Sequence, residues 1–157
     1  MKLSENLNSA LNQQILIEYK NSLIYKQVES WCEDNQLKNL SEYFHKQSLQ
    51  EKDHADKFAS HINDRTDGKV TMGDVEIPEL SINDITDIGN LSLQTEISTT
   101  DSIEALYDLA LSEKSYIDLG FLQDMLNEQV EEEDWANKLA MNLKMVKDIV
   151  LFDATFE

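Results

Sequence analysis

The sequence predicts an all-α fold: one four-helix bundle with a long crossover between its second and third helices and a short C-terminal helix. The 157 residues include one proline and four glycines, so few residues interrupt a helix. Apolar residues recur at three- and four-residue spacing in separate long segments, as on one face of a helix. The length is that of one domain, so we expect a single domain over residues 1–157 with the bundle at about 4–145.

The first two segments predict a helical hairpin. Segment one covers residues 4–33, with Ser4 as its N-cap, and residues 34–36 form a polar turn. Segment two covers residues 37–63. The repeat places Leu11, Tyr25 and Cys32 on the buried face of the first segment, and Phe44 on that of the second. Each helix would be roughly 40 Å long, the scale of a long bundle.

The helical period is lost over residues 64–80. This stretch contains three helix breakers, which are Gly68, Gly73 and Pro78. Ser81 with Asp84 resembles a capping box and predicts that segment three covers about residues 81–111. Ser115 with Asp118 repeats the signal and predicts segment four over about residues 115–145. A long crossover between two short-looped hairpins makes the second and third helices parallel.

Residues 146–157 form a short remainder after the fourth segment. The apolar run from Ile149 to Phe152 is too short to be stable as an isolated helix. We expect either a frayed end or a small helix that packs on a partner.

Composition excludes several classes of function. The net charge of −18, from 31 acidic and 13 basic residues, argues against nucleic acid or an anionic membrane surface as a partner. The sequence has no apolar run long enough to span a membrane and no apolar leader, which predicts a cytoplasmic protein. The single cysteine, Cys32, excludes an internal disulfide and a cysteine-based metal site.

Acidic residues interrupt the apolar face of all four segments. They are Glu18, Glu51 with His54, Glu96, and Glu132 preceded by Gln129. No lysine or arginine shares these faces, and four bare carboxylates in one core would be very costly. A pair of divalent metal ions would balance the four negative charges.

The spacing Glu51-x-x-His54 places a carboxylate and an imidazole on one face of a helix. This motif alone is weak, but the other three segments each offer an acid at similar depth, as in the di-iron and di-manganese carboxylate bundles. Carboxylate and imidazole ligands without thiolate suit Fe(II), Mn(II) or Zn(II). We expect Glu51 to bridge two ions, with Glu18 and His54 completing the first site and Glu96 and Glu132 the second.

Two further residues lie beside this predicted centre. Gln129 is neutral and could orient bound O2 or a water molecule. Tyr25 lies seven residues from Glu18 and could hydrogen-bond to a ligand or donate an electron. A core tyrosine with a satisfied hydroxyl is the alternative interpretation.

Several motifs together resemble the bacterial non-haem ferritins. They are Glu18-Tyr19 with Tyr25, Trp31-Cys32, Glu51-x-x-His54 and the stretch 121–133 with its Glu-Gln-Val-Glu-Glu-Glu run. The resemblance covers nearly the whole chain. It implies a cage of twenty-four subunits that oxidises Fe(II) with O2 or peroxide at an intrasubunit di-iron centre and stores ferric oxyhydroxide. The implied ferroxidase ligands are Glu18, Glu51, His54, Glu96, Gln129 and Glu132, and a third, cavity-side site would use Glu128, Glu131 and Glu132.

This chain departs from the family pattern at several positions. Gln50 stands where relatives usually have a glutamate of the third site, and Asp124 stands where they commonly have tryptophan. Asp124, Glu128 and Glu131 share one helix face and form either a replacement acidic track or a solvated surface. Lys52 replaces the methionine of haem-containing bacterioferritins, and the last helix lacks their second Glu-x-x-His motif. We therefore predict no haem.

Two alternatives to iron storage remain open. A rubrerythrin-like di-metal peroxidase would not store iron, but such proteins carry Glu-x-x-His in both hairpins and often a cysteine-rich module, and this sequence has neither. A catalytically silent bundle would serve as a scaffold. Buried, unpaired carboxylates argue against the scaffold, because they would only destabilise it.

Overall fold

The computed structural model describes residues 2–157 and contains the predicted bundle. The helices are α1 (Glu5–Asp34), α2 (Lys38–Asp64), α3 (Ile85–Ser112), α4 (Tyr116–Met145) and α5 (Ile149–Thr155). The only β-type pairing within the described residues is an isolated bridge between Lys2 and Thr66. The prediction of an all-α fold with a short C-terminal helix is therefore confirmed. None of the helices formed by residues 2–157 has the length and apolarity needed to cross a membrane.

The helix starts confirm the predicted cap at Ser4 and the predicted position of Ser115, but not a capping box at Ser115. The Ser4 hydroxyl accepts a hydrogen bond from the Leu7 amide at 3.0 Å, which caps α1. Ser115 precedes α4 as predicted, but its hydroxyl donates to the Asp118 carboxylate at 2.5 Å and makes no hydrogen bond to a backbone amide of the first turn.

The predicted start of α3 at Ser81 is wrong. Asp84 is the N-cap, and it forms a capping box with Asp87 in which each carboxylate accepts the other residue's backbone N–H. A carboxylate pair satisfies both of these amides, so the helix begins at Ile85 and the crossover extends over residues 65–84.

Side-chain contacts establish the order of the helices. Asn21 donates to Thr99 at 2.8 Å and Tyr25 donates to Glu96 at 2.5 Å, so α1 and α3 run antiparallel. Helix α2 returns along α1 after a short turn, and it therefore runs parallel to α3 as predicted. Buried Asn12 holds the crossover against α1, because its side chain donates to the Lys69 carbonyl at 2.8 Å and accepts from the Thr71 amide at 2.7 Å.

Two apolar clusters fill the bundle and leave a polar band between them. One cluster includes Leu11, Ile15, Phe58, Ile103 and Leu122, and the other includes Val28, Cys32, Phe44, Ile88 and Leu143. In the second cluster α3 and α4 approach closely at Gly89, where a Cβ atom would lie 2.8 Å from the Cα of Ala140. The residues predicted to bind metal lie along the helices between these two clusters.

Helix α5 packs on its own chain. The Asp153 carboxylate accepts hydrogen bonds from the amides of Leu40, at 2.8 Å, and Asn39, at 3.3 Å, in the first turn of α2. Because α2 has no side-chain cap of its own, a distant residue fills the N-cap role and complements the helix dipole. Val150 and Leu151 remain exposed on α5.

Candidate metal centre

Glu18 of α1 and Glu51 and His54 of α2 meet in the core of the first hairpin. Their side chains are at most 1% exposed, and one ligand atom from each lies within 4.8 Å of the others. His54 Nδ1 is 3.6 Å from an oxygen of Glu51 and 3.9 Å from an oxygen of Glu18. Helical spacing brings Glu51 and His54 to one face of α2, and antiparallel pairing brings Glu18 opposite them.

Five buried polar atoms of this cluster have no hydrogen-bond partner in the structure. They are Oε2 of Glu18, both carboxylate oxygens of Glu51 and both ring nitrogens of His54. Nearly all buried polar groups in proteins have partners, so five orphaned atoms in one place require an explanation. Oxygen and imidazole donors suit a divalent cation such as Fe(II), and these residues therefore fit a metal ion.

The second half of the centre comes from α3 and α4. Glu96 is 1% exposed and accepts hydrogen bonds from Tyr25 at 2.5 Å and from Gln129 at 3.2 Å. Glu132 accepts one from Gln50. Tyr25 thus donates to a predicted ligand, and the same bond satisfies its buried hydroxyl, so both interpretations that the sequence left open agree with this geometry.

Glutamine side chains donate to three of the four carboxylates. Gln14 donates to Glu18 at 3.0 Å, Gln50 to Glu132 and Gln129 to Glu96. Glu51 alone receives no such bond, and both of its oxygens remain available, as a bridging ligand requires.

Sequence reasoning missed the donor roles of Gln14 and Gln50. Gln14 carried a usable signal, because it lies four residues before Glu18 on the same helix face. The bond from Gln50 crosses from α2 to α4, and no sequence spacing indicates it.

Three carboxylates of the centre, Glu18, Glu51 and Glu132, hold protons more tightly than exposed ones. Burial, and then the charge of Glu51, raises the pKa of Glu18 well above its usual value. Burial and the nearby Glu96 likewise raise the pKa of Glu51, and they raise the pKa of Glu132 to about 7. Burial and Glu96 raise the pKa of the Tyr25 hydroxyl, so this group remains a hydrogen-bond donor. An arriving cation would therefore displace protons from the centre.

Asp124, Glu128 and Glu131, here called the acidic stripe of α4, lie at the edge of this centre. Asp124 and Glu131 are exposed, whereas Glu128 is half-buried. One oxygen of Glu128 accepts from Lys57 Nζ at 2.8 Å, and the other lies 3.0 Å from His54 Nε2. Of the three stripe residues, only Glu128 contacts a residue of the predicted centre.

The fold and the site define a class: a four-helix bundle with a crossover, whose core carries a carboxylate and histidine cluster able to hold metal. Residues 8–146 match the family model described as a ferritin-like domain, and the chain belongs to that family.

Two relatives and one solved structure that are similar to this chain are all named as ferritins. The chain is 30% identical to a bacterial non-heme ferritin of Campylobacter jejuni over 92% of this chain and 86% of the relative. It is 31% identical to a bacterial non-heme ferritin of Staphylococcus aureus over 83% of this chain and 78% of that protein. An open-pore ferritin from the archaeon Archaeoglobus fulgidus has a similar structure, with a TM-score of 0.93, 27% identity and coverage of 98% of this chain and 96% of that chain.

Proposed function

We propose that this protein stores iron: it oxidises Fe(II) with O2 or peroxide at an intrasubunit di-iron centre and holds the ferric product as oxyhydroxide inside a homo-oligomeric cage of twenty-four subunits. The observation that carries the proposal is the group of five unpartnered, buried donor atoms on Glu18, Glu51 and His54. The ferritin-like family and the names of the relatives support it. Localisation in the cytoplasm remains a prediction from the sequence.

In this proposal Fe(II) is the substrate, and the chain binds two ions side by side. Glu18, His54 and one oxygen of Glu51 hold the first ion, and the other oxygen of Glu51 with Glu96 and Glu132 holds the second. Two Fe(II) ions each give one electron to O2, and with two protons the products are two Fe(III) ions and hydrogen peroxide. Four carboxylates balance the four positive charges of the incoming pair, and the apolar clusters on either side limit water.

Two neighbouring side chains position the ligands in this proposal. Tyr25 and Gln129 both donate to Glu96, so the carboxylate keeps one orientation before iron arrives. Gln129 is also within 3.3 Å of the Thr100 hydroxyl, which limits its rotation. Preformed ligands reduce the ordering that metal binding would otherwise require.

The two iron sites differ in their ligands, and this difference suits storage. His54 is the single nitrogen ligand proposed, so the ion held by Glu96 and Glu132 binds to oxygen alone and is released more readily. Exposed Asp124 and Glu131 lie on the same helix as Glu132 and offer further oxygen ligands to departing iron.

Single substitutions test the proposal. Glu18→Ala, Glu51→Ala and His54→Ala should each slow Fe(II) oxidation by more than about tenfold, because losing a direct ligand should cost at least as much as losing a residue that orients one. The measurement is stopped-flow absorbance after O2 is mixed with anaerobically loaded protein, with gel filtration to check assembly. Asp134→Asn, an exposed acid on α4, is the matched control. Parental rates in all three variants would refute the assigned centre.

A further inference from the structure

The His54 ring lies between the predicted centre and a residue at its edge. Its Nδ1 atom faces Glu51 and Glu18 at 3.6 and 3.9 Å, whereas Nε2 lies 3.0 Å from Oε2 of Glu128 on α4. The ring is 1% exposed, and the Glu128 side chain is 38% exposed. Glu128 makes its shortest contact with Nε2, whereas Glu18 and Glu51 make theirs with Nδ1.

Lys57 holds Glu128 from the outer side. Its ammonium group donates to Oε1 of Glu128 at 2.8 Å and lies 3.7 Å from Asp53 on the same helix. Glu128 adds to the negative charge that raises the pKa of Glu132, so an unpaired Glu128 would be repelled by the centre. The positive charge of Lys57 therefore allows the Glu128 carboxylate to lie beside the carboxylates of the centre.

We propose that Glu128 and Lys57 are positioning residues that set the tautomer of His54. A neutral imidazole carries one N–H, and the nitrogen that binds a metal ion must be the other one. A carboxylate at Nε2 keeps the hydrogen there and leaves the Nδ1 lone pair facing Glu51 and Glu18. The resemblance to ferritins implied that Glu128 binds a third iron, but its ion pair with Lys57 and its contact with His54 favour this different role.

The contact requires one adjustment when an ion binds. In the structure His54 Nε2 and Glu128 are close, but they are not aligned for a hydrogen bond. A turn of the half-exposed Glu128 carboxylate about its terminal bond would align it with Nε2, and the flexible Lys57 side chain can follow the oxygen that it holds. Metal binding at Nδ1 makes the Nε2 hydrogen more acidic and so strengthens the bond to the carboxylate.

Zinc binding tests the inference without iron chemistry. The inference rests on the proposed metal centre, so the parent must bind Zn(II) and His54→Ala must bind it at least tenfold more weakly. If the parent binds no Zn(II), the proposed function fails together with this inference. Glu128→Gln and Lys57→Met should each weaken Zn(II) binding by about tenfold with the number of bound ions unchanged, and Lys57→Arg should restore most of the loss.

Nitrogen-15 NMR of histidine-labelled assemblies reports the tautomer directly, and only three histidines contribute signals. In the parent at about pH 8, His54 should carry its hydrogen on Nε2. Glu128→Gln should give a mixture of tautomers, because an amide can also donate to Nε2. Asp134→Asn and Lys138→Met, which alter an exposed ion pair farther along α4, should change neither measurement.

Three outcomes would overturn the inference while leaving the metal centre intact. The first is an unchanged tautomer and affinity in both Glu128→Gln and Lys57→Met. The second is the loss of one bound ion in Glu128→Gln, which would make Glu128 a metal ligand. The third is a failure of Lys57→Arg to restore what Lys57→Met loses.

Discussion

At the scale of single residues, the buried carboxylates couple stability to pH. The raised pKa values of Glu18, Glu51 and Glu132 mean that these three residues bind more protons in the folded apo protein than in the unfolded chain. The stability that these residues contribute is fully present below the ordinary glutamate pKa of 4.5 and is lost as pH rises, for Glu132 through about 7.

We therefore expect the melting temperature of the apo protein to fall as the pH is raised from about 5 to about 8. Glu51→Gln should make the melting temperature less dependent on pH, because it removes one titrating group and reduces the charge repulsion on the neighbouring carboxylates. Glu104→Gln, which changes an exposed acid on α3, controls for the high net charge. Thermal unfolding at several pH values is the measurement, and an equal dependence in Glu51→Gln and the control would contradict the expectation.

Metal binding should release protons from the same residues. A cation at the centre takes the place of the protons held by Glu18, Glu51 and Glu132, so the heat of Zn(II) binding should vary with the ionisation enthalpy of the buffer. The ion should also raise the melting temperature, because it binds only the folded state. Calorimetry in two buffers at about pH 7 checks this, and identical heats with no stabilisation would argue against a buried centre.

The predicted ligands could be found from the sequence because a residue's position in the helical repeat decides whether it is buried, even when its side chain is charged. Glu18, Glu51 and Glu96 occupy positions between buried apolar residues, and each is at most 1% exposed. The bonds from Gln50 to Glu132 and from Lys57 to Glu128 depend instead on the register between helices and on side-chain rotamers. A single sequence carries no direct record of either.

At the scale of helices, the least predictable features are the hydrogen bonds and ion pairs that join one helix to another. Asp118 was predicted only as the partner of the Ser115 cap, but it is fully buried. Its carboxylate accepts hydrogen bonds from Arg65 at 2.9 Å and contacts His61 at 2.7 Å, which ties the end of α2 to the start of α4. The start of α3 was misplaced for a simpler reason, because two capping signals lie three residues apart, at Ser81 and Asp84.

Helix α5 should stabilise the start of α2 through Asp153. Asp153→Ala removes the acceptor for the Leu40 and Asn39 amides, and it should cost roughly 1 kcal/mol, the usual value of an N-cap. Hydrogen exchange is the local measurement. It should become faster at these two amides and stay unchanged in the middle of α2. Asp148→Ala, which removes the cap of α5 itself, is the control, and it should weaken α5 with a smaller effect on the two amides. Equal exchange at both amides in Asp153→Ala and the parent would contradict this role.

At the scale of the whole molecule, the sequence predicts a single subunit well and its assembly poorly. Two hairpins and a crossover follow from segment lengths and breakers, which are properties of one chain. An interface between chains depends on exposed residues, and exposed apolar residues are spread over several surfaces, including Leu111, Ile117, Val130, Val150 and Leu151. Only the resemblance to ferritins suggested a cage.

The exposed face of α5 offers a test of assembly that leaves the centre untouched. Val150 and Leu151 are 72% and 62% exposed in the single chain, and a second subunit would remove this apolar surface from water. We expect Val150→Glu with Leu151→Glu to fold but to assemble poorly, because burying two added charges in an interface is costly.

The double variant also separates oxidation from storage. The proposed centre lies within one subunit, so the variant should oxidise its first two Fe(II) ions per chain at nearly the parental rate. It should retain little iron after repeated additions of Fe(II), because the ferric product would have no enclosed space in which to collect. Analytical ultracentrifugation with an iron assay on the same fractions measures both properties. Thr155→Glu adds charge to the same helix and should assemble normally if Val150 and Leu151 form the contact. Parental size and iron retention in the double variant would mean that α5 lies outside the interface.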